Sequence, residues 1–139
     1  SGILDPGAHT LHWCSAGHEP GIRLKRQSGQ IEELPNTGMP LGITEDVAYE
    51  PGGPITLEPG DLVLICTDGI RETHNPDRNM FGWERLHRLL VDNAHLSTRL
   101  ICEKIVQALQ DFRQGTSQED DVTMVIIKYQ ANGQEETMA

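Results

Sequence analysis

Glu58-Pro59-Gly60-Asp61-Leu62-Val63-Leu64-Ile65-Cys66-Thr67-Asp68-Gly69 is the stretch whose reading decides the fold. It opens on a Pro-Gly turn, continues through apolar residues that do not alternate with polar ones, and closes on an acid followed by glycine. An unbroken apolar run this short, bounded by turn residues, reads as a strand over Leu62 to Thr67 buried on both faces. Gly69 permits the sharp turn that leaves the Asp68 carboxylate at the end of that strand.

Upstream, short strand-like segments alternate with turn residues: Ile3-Leu4, Thr10 to Ser15 after Asp5-Pro6-Gly7, Gly21 to Arg26, and Ile31 to Leu34. Val47 to Glu50 and Ile55 to Leu57 continue the series, separated by the turn Pro51-Gly52-Gly53-Pro54. This grammar predicts an antiparallel meander. Downstream of Gly82 the apolar period lengthens. Trp83, Leu86, Leu89 and Leu90 recur at helical spacing, as do Ile101, Ile105, Ala108, Leu109 and Phe112 behind a cap at Ser97 or Thr98. Two amphipathic helices follow, with Trp83 and Phe112 in the core and the second helix stopping near Gly115. Val122 to Tyr129 reads as a last strand. The fold class is therefore α+β: antiparallel sheet with two C-terminal helices on one face, one domain over residues 1–129, and a disordered polar tail over 130–139.

Composition excludes several classes of function. A formal net charge of -10 over 139 residues argues against a nucleic-acid-binding surface, which needs clustered Lys and Arg, and suits cation binding or simple solubility. Cys14, Cys66 and Cys102 are odd in number and widely spaced, which predicts free thiols in a reducing cytoplasm. The longest apolar run, Leu62 to Cys66, is far below the ~18 residues of a membrane span.

Asp120 and Asp121 stand just before the last strand. If that strand pairs antiparallel with Leu62 to Thr67, Asp68 and Asp120 meet at one edge of the sheet. Converging carboxylates repel unless protonated or bridged by a cation, and oxygen ligands without His or Cys match a hard ion such as Mg²⁺ or Mn²⁺. Spacing alone also allows an ordinary Asp-Gly turn beside a solvated acidic loop. Zinc is set aside, because strand alternation puts His12 and Cys14 on one face, His18 lies beyond a glycine turn, and no second ligand pair exists.

Six segments then occur in order: Ser15-Ala16-Gly17-His18-Glu19-Pro20, Pro40-Leu41-Gly42, Glu58-Pro59-Gly60-Asp61, Thr67-Asp68-Gly69-Ile70-Arg71-Glu72, Phe81-Gly82 and Gln118-Glu119-Asp120-Asp121-Val122-Thr123. Together they resemble the C-terminal two-thirds of the sporulation protein E branch of the PPM-type, protein phosphatase 2C-like Ser/Thr phosphatases. The resemblance implies a four-layer αββα sandwich with a pair of Mn²⁺ or Mg²⁺ ions at one end of its sheets. It implies hydrolysis of phosphoserine or phosphothreonine on a regulatory protein, such as an anti-sigma-factor antagonist. The nucleophile would be a metal-activated water, with no catalytic side chain. By this similarity Asp68 and Asp120 match metal ligands, Asp121 is a further candidate, and Gly17, His18 and Gly69 structure their loops. Arg71 could approach substrate but reads first as a solvated or ion-paired turn residue, and Glu119 reads as part of a solvated acidic loop, with an outer contact to the metal as the alternative.

The family's upstream Asp-x-Ser-Gly segment, whose Asp bridges both metals, and the two long helices after it are not in these 139 residues. Asp5-Pro6-Gly7 is in the wrong place to replace it. The expectation is thus an incomplete sandwich, half of a two-metal site, little activity alone, and an exposed apolar sheet face that invites self-association. A non-catalytic interaction module that keeps the phosphatase scaffold is the competing reading.

Overall fold

A computed structural model describes residues 1–45 and 48–130. Val47, which begins one expected strand, and most of the expected polar tail lie outside the described residues. Among those described the elements are β1 (Gly2–Asp5), β2 (Thr10–Trp13), β3 (Gly21–Leu24), β4 (Ile31–Leu34), β5 (Gly52–Thr56), β6 (Leu62–Cys66), α1 (Gly82–Asn93), α2 (Thr98–Arg113) and β7 (Met124–Lys128). No strand forms over residues 48–50.

The strands make two antiparallel sheets, in the orders β1-β2-β5 and β4-β3-β6-β7. Two antiparallel sheets are what the expected sandwich requires, but the strands do not pair in simple meander order. The chain leaves the first sheet after β2, forms the β3-β4 hairpin in the second, returns for β5, and crosses again into β6. Burial drives the switching. Leu11, Leu34, Leu57 and Val63 form a core between the sheets, and no single layer could cover all four. The helices cover the opposite face of the second sheet. There Ile22, Leu24, Leu62, Leu64 and Cys66 meet Leu86, Leu90, Ile101, Ile105 and Leu109. Strand β6 thus sends Leu62, Leu64 and Cys66 to one core and Val63 to the other, which explains its unbroken apolar run. Trp83 and Phe112 pack on the helix core, with Phe112 edge-on to Phe81 at 5.3 Å. Ser97 caps α2 by accepting from the Leu100 N–H.

Two sequence expectations are revised. Pro51-Gly52-Gly53-Pro54 is no free turn, since β5 starts at Gly52. A Cβ at Gly52 would lie 2.4 Å from the Trp13 ring, so glycine is what lets the indole lie flat over this strand. Second, β6 is not buried along its whole length, because Ile65 is 37% exposed. Its cross-strand partner Val125 is 54% exposed, and both sit on the side of the sheet that faces β1-β2-β5. The three-stranded sheet stops short of this end and leaves an open cleft of about 360 Å³ walled by Leu4, Leu11, Trp13, Leu34, Ile65 and Ile127. The expected exposed apolar face is therefore this inner end. Register places Ile3, Asp5, Thr10 and His12 together on the outer face of the first sheet, a mostly polar set.

One buried ion pair ties the layers together. Asp61, 1% exposed, accepts from Arg23 Nε (3.1 Å) and Nη2 and from the Glu58 (3.0 Å) and Arg26 (2.9 Å) N–H groups. Arg23 Nη2 also donates to the Thr56 carbonyl in the other sheet at 2.7 Å. Burial pushes the Asp61 carboxyl up, but these hydrogen bonds and the guanidinium outweigh it and hold the group below its ordinary value. A depressed carboxyl contributes stability that is fully present above its unfolded value, near ~3.9, and is lost as pH falls through the lower folded value. The urea midpoint should therefore fall as pH drops from about 5 towards 2. Asp61→Ala, which strands a buried guanidinium, should cost about 3–5 kcal/mol in urea unfolding and flatten that acid limb.

Candidate functional site

The site is built by the ends of two neighbouring strands. The ladder pairs β6 with β7 from Leu62↔Lys128 to Cys66↔Met124, and the Thr67 N–H continues it to the Thr123 carbonyl at 3.0 Å. The Thr67 hydroxyl donates to the Asp121 carbonyl (2.9 Å) and accepts from the Thr123 N–H (3.0 Å), which fastens the residue before Asp68 to the residues after Asp120. Gly69 sits against the same backbone. A Cβ there would lie 2.3 Å from the Asp121 carbonyl oxygen, so only glycine allows the two acidic segments to touch.

Beyond Asp68 the chain is pinned by a short turn. The Glu72 N–H donates to the Asp68 carbonyl at 2.8 Å, the Thr73 hydroxyl donates to the Gly69 carbonyl at 2.7 Å, and Ile70 is 0% exposed. Asp68 is half-buried, whereas Asp120 and Asp121 are exposed. One Asp120 carboxylate oxygen accepts from the Asp121 N–H at 2.7 Å, and Gln118 Nε2 donates to the Asp120 carbonyl at 2.8 Å. The antiparallel arrangement assumed from sequence is present, and it brings Asp68, Asp120 and Asp121 to one sheet edge. Among the described residues none of the three carboxylates has a Lys, Arg or His partner in a salt bridge.

The other motif residues converge nearby. Gly17 has φ +79°, a left-handed value that favours glycine, and a Cβ there would overlap Pro40 at 2.3 Å. Its N–H donates to the Gly38 carbonyl at 3.2 Å, joining the segments around Gly17 and Pro40. The His18 ring meets the Glu19 carbonyl through Nδ1 at 2.8 Å, a contact within its own loop. Arg71 joins that loop to the Asp68 turn, with Nη2 at 3.1 Å from Glu19 Oε1 and 2.8 Å from Glu72 Oε1. Of the solvated and ion-paired roles read for Arg71 the ion-paired one is present, and its partner Glu19, 52 residues away in the chain, stands in a quoted segment although no spacing links the two. Thr67 likewise escapes a search for acidic ligands, although its place in Thr-Asp-Gly marks it.

As for chemistry, the donor set is all oxygen, which fits a hard divalent cation rather than zinc. It is also short: among the described residues no group of three or more His, Cys, Asp or Glu side chains is arranged to hold a metal ion. Cys66, the one cysteine close to these acids, does not offer a thiolate. Burial first, then the Glu19 and Asp68 carboxylates, push its thiol up to about 11.

Comparison with known proteins assigns the family and the fold. The family model for Stage II sporulation protein E (SpoIIE) matches residues 1–130. Protein IcfG of Synechocystis is 28% identical over 126 residues, which is 91% of this chain and 19% of that protein. Phosphoserine phosphatase RsbU of Bacillus subtilis is 27% identical over 123 residues, 86% of this chain and 35% of that protein. The chain thus spans about a fifth to a third of the length of these two relatives. Among solved structures, the SiaA-PP2C domain of Pseudomonas aeruginosa superposes with a TM-score of 0.74 at 20% identity, over 88% of this chain and 47% of that one. The RsbU and RsbW domains of a Mycobacterium tuberculosis protein give 0.67 at 26% identity, over 94% and 35%. The two sheets and the helix layer are a part of the PP2C-type fold, and the chain belongs to the SpoIIE family.

Proposed function

We propose that this chain supplies the Asp68 and Asp120 carboxylates of a metal-dependent protein Ser/Thr phosphatase acting on a phosphorylated regulatory protein. The observation that carries the reading is the meeting of Asp68, Asp120 and Asp121 at one strand-end edge without a basic partner among the described residues. Unpaired acids held together by backbone contacts gain from a cation. Mn²⁺ or Mg²⁺ is the matching class, and its chemistry when bound is Lewis acidity toward water and the phosphoryl group. The chain's own part is to hold the carboxylates: Thr67 fixes the spacing of the two strand ends, and Gly69 permits their contact. Asp121 serves this geometry through its carbonyl, which leaves its carboxylate free as a further ligand. Gly17 and His18 shape the adjoining loop, and Arg71 fastens it to the Asp68 turn.

The remaining ligands come from outside these residues, in keeping with the share of each relative that the chain spans. The partner is a phosphoserine- or phosphothreonine-bearing protein, in line with the likeness to a phosphoserine phosphatase, and the resemblance of the six sequence segments makes an anti-sigma-factor antagonist its proposed kind. The free thiols Cys14, Cys66 and Cys102 suit a reducing cytoplasm. No described helix is long and apolar enough to cross a membrane. Self-association would use the uncovered Ile65–Val125 end of the sheet.

Calorimetric titration of the full-length protein with Mn²⁺, beside turnover of a phosphoserine peptide, tests the reading. Asp68→Asn and Asp120→Asn should each weaken Mn²⁺ binding by more than the roughly 10–100-fold that an outer-shell partner is worth, and turnover should fall with it. Equal Mn²⁺ affinity in both variants and the unaltered protein would refute it. The 139-residue chain alone should turn over peptide far more slowly than the full-length protein. Gly69→Ala adds no charge, yet should weaken Mn²⁺ binding by about tenfold or more and cost about 1–3 kcal/mol, because the new Cβ forces the Asp121 backbone away.

A further inference from the structure

We propose that His74, Arg78 and Glu119 form a clamp that positions Asp120 against Asp68, a role that rests on the reading of these two acids as metal ligands. Glu119 precedes Asp120 and has both carboxylate oxygens engaged by one hairpin. Its Oε2 lies 2.9 Å from His74 Nδ1 and its Oε1 3.3 Å from Arg78 Nη1. His74 and Arg78 belong to the segment that leaves Asp68, closed by the bridge between His74 and Met80 and by the Asn75 N–H to Asn79 carbonyl bond of 3.0 Å. The Thr116 hydroxyl reaches the His74 carbonyl at 3.4 Å from the other side.

Asp120 therefore lies between two anchors. On one side Thr67 holds the Asp121 carbonyl, and on the other the hairpin holds Glu119. Both anchors belong to the segment that carries Asp68, so they set the position of one acid relative to the other. The backbone of Arg78 strengthens the case. Its φ of 65° is in the left-handed region, where a glycine sits without strain and a long side chain does not. Asparagine side-chain and backbone bonds over Asn75 to Asn79 hold this conformation, and the side chain it presents is the one that meets Glu119. Strain kept at a turn beside acidic ligands points to use rather than to turn formation alone. Arg78 is 77% exposed, so its pair with Glu119 adds little to global stability. Its effect is local, on the order of the segment that carries Asp120.

Hydrogen exchange by mass spectrometry on the full-length, metal-free protein tests the clamp, comparing Glu119→Ala, Glu119→Gln, His74→Ala and Arg78→Gly. Glu119→Ala should raise exchange over residues 116–123 by about 3- to 10-fold, the worth of one or two net hydrogen bonds, while leaving α1 and β3 unchanged. Glu119→Gln keeps an oxygen for His74 and should show a smaller rise. Arg78→Gly separates the two readings of that residue. As a clamp it speeds exchange over 116–123 although the turn itself is relieved, whereas a mere turn residue leaves that segment as it was. In the same variants the Mn²⁺ concentration for half-maximal turnover should rise in step with exchange, with the urea midpoint held. Unchanged exchange at 116–123 in Glu119→Ala and Arg78→Gly overturns the proposal, as does a rise spread evenly over the protein. With no metal in the exchange experiment, its outcome is independent of how Asp68→Asn and Asp120→Asn behave in the test of the phosphatase reading.

Discussion

The Arg23–Asp61 pair is the constraint on which the rest of the structure depends. It joins β3, the turn that opens β6, and through the Thr56 carbonyl the last residue of β5 in the opposite sheet. A buried pair of this kind is not chiefly a source of stability, since desolvating both charges offsets most of their attraction. What it supplies is register. Once the Asp61 carboxylate is held by two backbone N–H groups and a guanidinium, β6 can begin only at Leu62, and its side chains divide between the two cores in one way. A slip of one residue would send Leu62 and Leu64 into the sheet interface and Val63 towards the helices. The position of Asp68 follows from the same register, because the strand is short and straight enough to carry it from the buried end to the edge.

Cover along that strand is uneven, and the unevenness coincides with the site. At the Asp61 end both faces of β6 are packed, whereas at the Asp68 end the inner face carries exposed Ile65 beside exposed Val125. A half-covered strand end is dynamic unless something else holds it. Here the holding is done by polar contacts, those of Thr67 with Asp121 and Thr123 and the turn bonds of Glu72 and Thr73. The apolar core thus orders the middle of the sheet while hydrogen bonds order the edge where the acids stand.

Much of this was legible in sequence because it rests on local periodicity. The unbroken run before Asp68, the change to helical spacing after Gly82, and the Ser97 cap each report a single element, and each element forms. The allocation of strands to two sheets was not legible, since β2, β3 and β5 look alike as short apolar segments and only the packing of Leu11 and Val63 across the interface separates them. Pro51-Gly52-Gly53-Pro54 misleads for a similar reason. Gly52 is there for contact with Trp13, nearly forty residues earlier, and Gly53 for a φ of +89° against the Leu11 carbonyl. The candidate site divides along the same line. Asp68 and Asp120 could be placed together from one assumption about strand pairing, while Glu19, His74 and Arg78 enter through contacts between distant loops that no spacing rule encodes.

The electrostatics of the edge show how ion pairs hold its loops without engaging the aspartates. Two nearby arginines are engaged elsewhere: Arg71 is shared between Glu19 and Glu72, and Arg78 is turned to Glu119. Had either guanidinium reached Asp68 or Asp120, it would have neutralised the acids and competed with any cation offered to them. By binding the neighbouring glutamates instead, the arginines fix the loops without lowering the negative potential at the aspartates. The segments are therefore ordered by charge pairing one residue or one turn away from the aspartates, which themselves take no basic partner among the described residues. In a chain with a net charge of -10, that separation is what the proposed cation site requires and a merely acidic surface does not.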